Sequence, residues 1–175
     1  LIHQGGASLL NLLMEAMLDD FRGEALAALL RHGLCLFGAT PKSARRSTSL
    51  VELVLLRSGM GSPDIAALPH ALRLAAEDEG RRHLLMRQMT DEDWATAIAH
   101  ATRISEALAP LQATGILSFD RHLERFIAAC EAMAGGAFWE GEAGEQLRET
   151  LTALKENSHL LARCDLPRAI GILRH

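Results

Sequence analysis

The stretch Thr90–Pro110, TDEDWATAIAHATRISEALAP, decides the fold class of this chain. Its apolar residues recur every three or four positions, which is the spacing of one helix face. They are Trp94, Ile98, Ala101, Ile104, Ala107 and Leu108. A Thr followed by three acidic residues is typical of a helix start, and Pro110 is typical of a position just past a helix end. The stretch therefore predicts the longest helix of the chain.

Helical spacing continues on both sides of this stretch. The chain has no Tyr, and its β-branched residues never alternate with polar residues over the length of a strand. Further helices are predicted at about 8–21, 24–32, 41–57, 62–77, 81–89, 118–134 and 142–157, with a last turn or short helix from 166. We expect an all-α fold, an irregular bundle of about eight short helices forming a single domain over residues 1–175.

Local signals predict where several of these helices begin and end. Ser8 is expected to cap the first helix, and Thr40-Pro41 combines a cap with Pro at the first helical position. Gly33 is expected to adopt a left-handed conformation that ends the second helix. Residues 59–61 are expected to end the third helix, and Pro69 either restarts or kinks the fourth.

A second informative stretch is Phe138–Gln146, FWEGEAGEQ, which places two aromatic residues beside glycines and carboxylates at a helix start. The two aromatic side chains are expected to anchor the incoming loop on the core. Glu142 and Glu145 are expected to favour the positive end of the following helix. Gly141 and Gly144 are expected to let the backbone approach a neighbouring segment.

Length and composition indicate a globular chain. Folding 175 residues buries roughly 70% of the unfolded surface, which is enough for a hydrophobic core without disulfide bonds or structural metals. The chain is 49% hydrophobic, yet no uncharged apolar run approaches the ~20 residues that span a bilayer, so we expect a soluble protein without membrane contact. It begins at Leu1 without an initiator Met, and we expect it to be an internal piece of a longer protein.

The charge and the cysteines exclude several classes of protein. A net charge of -4 argues against a dedicated nucleic-acid module, so any contact with DNA must be local. Cys35, Cys130 and Cys164 are odd in number and have no CxxC spacing. Neither a disulfide framework nor a zinc or iron-sulfur site is therefore indicated, and a reducing cytoplasm fits this usage.

Motifs for catalysis and for cofactors are missing from the sequence. GxxxxGK[ST], HExxH, GxSxG and paired Glu-x-x-His motifs do not occur. The eight histidines are dispersed, and we expect His100 and His122 to be partly buried residues with hydrogen-bond partners. The sequence predicts no catalytic residue, no cofactor and no metal site in this chain.

Basic residues are concentrated in two short groups. The first contains Lys42, Arg45 and Arg46 and is followed by Arg57, and the second contains Arg81, Arg82 and Arg87. Solvated helix faces account for such groups in many proteins, and contact with a DNA backbone is the functional alternative. Arg45, Arg46, Arg81 and Arg82 are the candidate phosphate contacts.

Three segments of the chain resemble one known family in order and spacing. Ala25–Gly38, ALAALLRHGLCLFG, is similar to the family segment LLALLKHPLA…G, with His32 at the family His and Gly33 in place of its Pro. Glu52–Gly59, ELVLLRSG, resembles LE…LRG, and Phe138–Glu145, FWEGEAGE, resembles LWxGEAGE. The family is the AddB subunit of bacterial AddAB helicase-nucleases, in the subclass whose AddB carries a degenerate helicase core.

The resemblance implies a position within a larger machine. In that family the region is a helical insertion in the helicase-like half, before the core resumes at HPRxxILGPLEARLQ. The near start, Gln4–Ala7, departs from the family's Thr-Pro-x-Gly, and none of the family's nucleotide-binding, nuclease or iron-sulfur positions falls within this chain. The resemblance implies a non-catalytic accessory domain acting in double-strand break repair and recombination. Its implied partners are the rest of an AddB-like chain, an AddA-like subunit and DNA.

Two alternatives of other classes stay open. A helical ligand-binding or dimerising regulatory domain would also fit long Leu-rich helices and low aromatic content, and it predicts an enclosed apolar pocket. A helical-bundle enzyme predicts a cluster of converging titratable groups.

Overall fold

A computed structural model describes residues 5–57, 64–77, 88–113 and 115–174 of the chain. Within these residues the chain forms α-helices joined by short loops and 3₁₀ turns, and the all-α fold class is confirmed. The helices are α1 Gly6–Leu18, α2 Gly23–Leu30, α3 Pro41–Arg57, α4 Leu68–Glu77, α5 Asp91–Leu108, α6 Phe119–Ala134, α7 Gly141–Glu156 and α8 Leu166–Leu173. An antiparallel bridge between Leu117 and Cys164 lies outside the helices.

Helix α5 begins as its sequence predicts. The Thr90 hydroxyl accepts the Asp93 N–H at 3.2 Å, and the Asp93 carboxylate accepts the Thr90 N–H at 3.0 Å, which is a capping box. Three acidic residues in the first turn add a favourable interaction with the positive end of the helix. These interactions set the start of an 18-residue helix.

The helices enclose one hydrophobic core. Helix α5 packs against α3, α4 and α6, while α1 packs against α2, α6 and α7. Helix α6 therefore contacts both groups of helices and joins them. Its buried face includes Phe119, Leu123, Phe126, Cys130 and Met133. The core continues across all eight helices of the described residues without a break.

Two predicted helix ends are wrong. Ser8 does not cap α1, because the helix begins at Gly6 and the Ser8 N–H donates to the carbonyl of Gly5 at 3.1 Å. Gly33 does not take the left-handed conformation. Helix α2 ends at Leu30, two residues before the predicted end, and the positive φ angles in the loop belong to Phe37 and Gly38 at 48° and 72°.

Other predicted ends are confirmed. The Thr40 hydroxyl accepts the Ser43 N–H at 3.3 Å at the start of α3. Helix α4 restarts at Leu68, so Pro69 occupies its first turn, where a missing N–H costs nothing. The predicted stop at 59–61, the start signal at 62–63 and most of the predicted segment 81–89 lie outside the described residues.

None of the described helices has both the length and the apolar character that a bilayer span requires.

Candidate functional site

The stretch Phe138–Glu145 forms a tight joint between helices. Phe138 is fully buried, and its ring meets the ring of Trp139 edge to face at 4.3 Å between centroids. The Trp139 indole N–H donates to Glu131 Oε1 at 2.8 Å, and the guanidinium of Arg148 lies 5.2 Å from the centre of the Trp139 ring. Phe138 therefore anchors the loop as predicted, and polar partners hold Trp139 at the surface of the joint.

Glycine is required at two places where helices meet this joint. A Cβ on Gly144 would lie 2.5 Å from the carbonyl oxygen of Trp139, and a Cβ on Gly6 would lie 2.8 Å from Cδ2 of Phe138. The predicted close approach is confirmed at Gly144. It is wrong at Gly141, where no atom lies within 4 Å and where the positive φ of 76° is the reason for glycine.

The segment Ala25–Gly38 contacts the second segment that carries the resemblance and the end of α6. The Arg31 guanidinium donates to both carboxylate oxygens of Glu52, at 2.9 and 2.6 Å, which is a bidentate ion pair between the loop after α2 and the middle of α3. The N–H groups of Leu36 and Phe37 both donate to the carbonyl of Met133 in the last turn of α6, directly before the 3₁₀ turn that contains Phe138. The described parts of the first two segments are thus joined directly, and the first is also held to α6 just before the third segment begins.

The N-terminal half of α3 presents positive charge without a nearby acidic residue in its own sequence. Its first turn contains no acid, and the first acidic residue of the helix is Glu52. A cation in the first turn opposes the helix dipole, at a cost of roughly 0.3–1 kcal/mol. Lys42 and Arg45 are exposed and form no ion pair within the described residues, so this positive charge is directed to solvent.

The four predicted phosphate contacts fall into three groups. Arg45 is exposed beside α2. Arg46 donates to Asp93 Oδ2 at 2.8 Å, so its charge is partly neutralised, while the hydrogen bonds from Thr90 and the charge of Arg46 lower the pKa of Asp93. Arg81 and Arg82 lie outside the described residues. The structure therefore leaves Arg45 as the described candidate whose charge is free.

A cavity of about 330 Å³ lies where the loop after α2 faces α3. This volume is at the lower end of the roughly 300–1,000 Å³ that is usual for ligand sites. Half of the lining consists of polar or charged side chains. They are Arg31, His32, Arg45, Thr48, Ser49 and Glu52.

His32 is a buried polar group on the wall of this cavity. It is 4% exposed, and burial lowers its pKa. The Leu34 N–H donates to Nδ1 at 3.3 Å, so the neutral ring carries its proton on Nε2. Within the described residues Nε2 has no hydrogen-bond partner, which leaves a buried donor unsatisfied.

The two helix histidines differ in a way that the sequence did not predict. His122 is 1% exposed, and its Nε2 forms a hydrogen bond of 2.9 Å with the carbonyl of Cys164, as expected. His100 is 3% exposed, and neither of its ring nitrogens has a partner within the described residues. Burial, together with the charge of Arg103, lowers the pKa of His100 to about 4. The predicted partner of His100 is therefore wrong, and the ring packs edge-on against Phe37 instead.

The cysteines are separate buried thiols. Cys35, Cys130 and Cys164 are free, and burial raises the pKa of each. Within the described residues no three His, Cys, Asp or Glu side chains are grouped to hold a metal ion.

The sequence does not predict three of the residues that line this cavity, which are Arg31, Thr48 and Glu52. Arg31 lies in the loop after α2 and Glu52 lies 21 positions away in α3, so no local spacing connects them. The sequence contains one weak sign of an unusual surface here. The first turn of α3 has no acidic residue, although acidic residues are favourable at helix starts.

Comparisons with known proteins give no relative for this chain. No family model, no curated protein and no solved structure matches it.

Proposed function

We propose that this chain is a non-catalytic helical accessory domain of an AddB-like helicase-nuclease subunit that acts in DNA double-strand break repair and recombination. The domain braces the helicase-like lobes of that subunit, and its positive surface contacts the backbone of DNA. Its partners are the remainder of the AddB-like chain and an AddA-like subunit, in the cytoplasm.

One observation carries the proposal. The first two segments that resemble the family are connected directly through the Arg31–Glu52 ion pair, and the first also donates two hydrogen bonds to Met133 of α6, which precedes the third segment. A resemblance at segments that contact one another is what a common architecture would produce. Arg31 lies in the first of these segments, Glu52 begins the second and Phe138 begins the third.

The surface charge supports the DNA contact. Lys42 and Arg45 are exposed residues of the N-terminal half of α3 and have no ion pair within the described residues, and Lys42 in the first turn opposes the helix dipole. Residues that weaken a helix without an evident structural gain are expected at functional surfaces. DNA would compensate for the unfavourable positive charge at the start of α3, because each phosphate neutralised by Lys or Arg releases a condensed counterion.

The salt dependence of DNA binding tests the contact. The chain is titrated into fluorescently labelled duplex DNA at several salt concentrations, and the dissociation constant is measured by anisotropy. Two or three phosphate contacts predict a slope of log affinity against log salt of about -2 to -3. Binding without any salt dependence, or no binding at low salt, would remove the DNA contact from the proposal.

The coding sequence downstream of this chain tests the family assignment. We expect the reading frame to continue into a segment like LGPLEARLQ and, farther on, into a nuclease domain. A different downstream sequence, together with a stable dimer in solution by light scattering, would favour the regulatory-domain alternative.

A further inference from the structure

A cleft between α6 and α7 has an apolar floor. Its volume is about 370 Å³, and its apolar lining consists of Ile127 of α6, Leu151 of α7 and the ring of Trp139 from the turn between the two helices. Ile127 and Trp139 are half-buried, so both keep accessible apolar surface. The other lining residues are exposed, so the cleft opens to solvent. They are Glu131, Arg148, Thr152 and Lys155.

The Trp139 ring is held in place at this cleft. Its indole N–H donates to Glu131 at 2.8 Å, and the guanidinium of Arg148 lies 5.2 Å from the ring centre. The ring also contacts the fully buried Phe138, and Gly144 packs directly against the Trp139 backbone. Trp and Arg are the residue types that contribute most often to protein–protein binding, and a rigid Trp loses little side-chain entropy when a partner binds.

Acidic side chains flank the cleft on both helices. Those of α6 lie one turn from Ile127 on the same helix face, and those of α7 lie one or two turns from Thr152. They are Glu124, Glu131, Glu145, Glu149 and Glu156. Two cations line the same cleft, of which Lys155 is paired with Glu124 at 3.0 Å and Arg148 lies against Trp139. The margin of the cleft is therefore acidic.

The α6–α7 pair carries the net charge of the whole chain. Residues 119–156 contain eight acidic and four basic residues, a net charge of -4, while the rest of the sequence contains fourteen of each. The excess acid thus lies on other helices than the basic start of α3. An acidic surface repels a nucleic-acid backbone and attracts a basic protein surface.

We propose that the α6–α7 cleft binds an amphipathic helix of a separate protein. The aliphatic residues of that helix, spaced three or four apart, enter the cleft against Ile127 and Trp139, and Lys and Arg residues on its flanks face the acidic margin. A charged margin around a small apolar centre is typical of contacts between separately folded proteins rather than of a permanent core. The identity of the partner rests on the proposed function, which makes it the AddA-like subunit.

The test uses a synthetic amphipathic peptide of about 18 residues, or five helical turns, with Leu at helical spacing and Lys on both flanks. A peptide of the same composition in scrambled order and a single-stranded oligonucleotide are the comparison probes. Binding to the 175-residue chain is followed by NMR at the indole N–H of Trp139. The second indole belongs to Trp94, which is 4% exposed and does not line the cleft.

Two threonines of α7 provide a matched pair of variants. Thr152 lines the cleft, and Thr150 is exposed on the same helix but does not line it. Thr152→Arg places a long cation in the cleft, and Thr150→Arg adds the same charge outside it. Far-UV circular dichroism checks that both variants are folded.

We expect the amphipathic peptide to shift the Trp139 signal and the scrambled peptide to leave it unchanged. Thr152→Arg is expected to weaken binding roughly tenfold or more, because it fills the cleft and repels the basic helix. Thr150→Arg is expected to weaken binding by less than about threefold, the effect of one exposed charge.

Three results would overturn the proposal. The peptide leaves the Trp139 signal unchanged, the scrambled peptide or the Thr152→Arg variant binds as well as its control, or the oligonucleotide alone shifts the signal. These measurements need no AddA-like subunit, so they decide on the cleft even if the proposed function fails.

The identity of the partner is tested by the same two changes in the tagged native protein. Loss of the AddA-like subunit with Thr152→Arg alone supports its assignment to the cleft. Retention of that subunit with both variants rejects this assignment, while peptide binding still supports a helix site. If the unchanged protein recovers no such subunit, the proposed function fails and the peptide result stands by itself.

Discussion

Replacing Gly144 by Ala is expected to destabilise the chain, although Ala is the better helix residue. Gly144 lies in the first turns of α7, and a Cβ there would lie 2.5 Å from the carbonyl oxygen and 3.0 Å from Cα of Trp139. Side-chain Cβ atoms do not approach such atoms within 3.0 Å, so the backbone at Trp139 must move by about half an ångström or more. That backbone is fixed by the buried Phe138 ring beside it.

The magnitude follows from two opposing effects. Overpacking costs roughly 1–3 kcal/mol, and we expect about 3 kcal/mol here because backbone atoms cannot rotate aside as a side-chain end can. The higher helix propensity of Ala offsets about 1 kcal/mol of this cost. The free energy of unfolding should therefore fall by about 2 kcal/mol, which lowers Tm by roughly 4–8 °C for a chain of this length.

A second glycine in a helix provides the control. Gly171 lies in α8 with no atom within 4 Å of the position of a Cβ, so Gly171→Ala should raise the free energy of unfolding by roughly 0.5–1 kcal/mol. Both variants are measured by urea unfolding followed by far-UV circular dichroism. A Gly144→Ala chain as stable as the wild type, with the same helix content, would refute the close packing of this joint.

Three further predictions concern buried or capping groups. The pKa of His100 is about 4 in the folded chain and 6.5 in the unfolded chain. The unfolded state therefore binds the proton first as the pH falls. The free energy of unfolding should decrease by about 3 kcal/mol between pH 7 and pH 4. The variant His100→Leu should lose less over the same range, and an equal loss in both chains would contradict the assignment. Thr90→Ala removes the cap of α5 and should cost about 1 kcal/mol in urea unfolding, and no change would argue against the capping box. Cys35, Cys130 and Cys164 should react slowly with a thiol reagent in the native chain and rapidly in urea, and fast native labelling would show that their burial is wrong.

The extent to which the sequence predicts the fold depends on how local each signal is. Helix α5 was predicted closely, because its capping box and its apolar spacing are both contained within the helix itself. Ser8 was wrongly predicted as a cap because the start of α1 is set by a distant contact, in which Gly6 lies against Phe138. The left-handed turn was wrongly assigned to Gly33, since the loop is held by hydrogen bonds from Leu36 and Phe37 to α6, which no local pattern reports.

The candidate site could be predicted only in part for the same reason. Arg45 was identified because it belongs to a basic group that is visible in the sequence. The cavity beside it depends on His32 being buried and on Arg31, in the loop after α2, pairing with Glu52 of α3. These relations arise from packing, so they appear only once the helices have been placed.

The proposal that matters most is that this chain is a domain of an AddB-like subunit of a helicase-nuclease. The most direct measurement is affinity purification of the native protein, tagged at its own gene, followed by mass spectrometry of what remains bound at moderate salt. We expect an AddA-like helicase-nuclease subunit in about equal amount, with ATP-dependent degradation of linear duplex DNA in the eluate. If the protein is recovered without any helicase-nuclease subunit and without that activity, it is not part of such a complex.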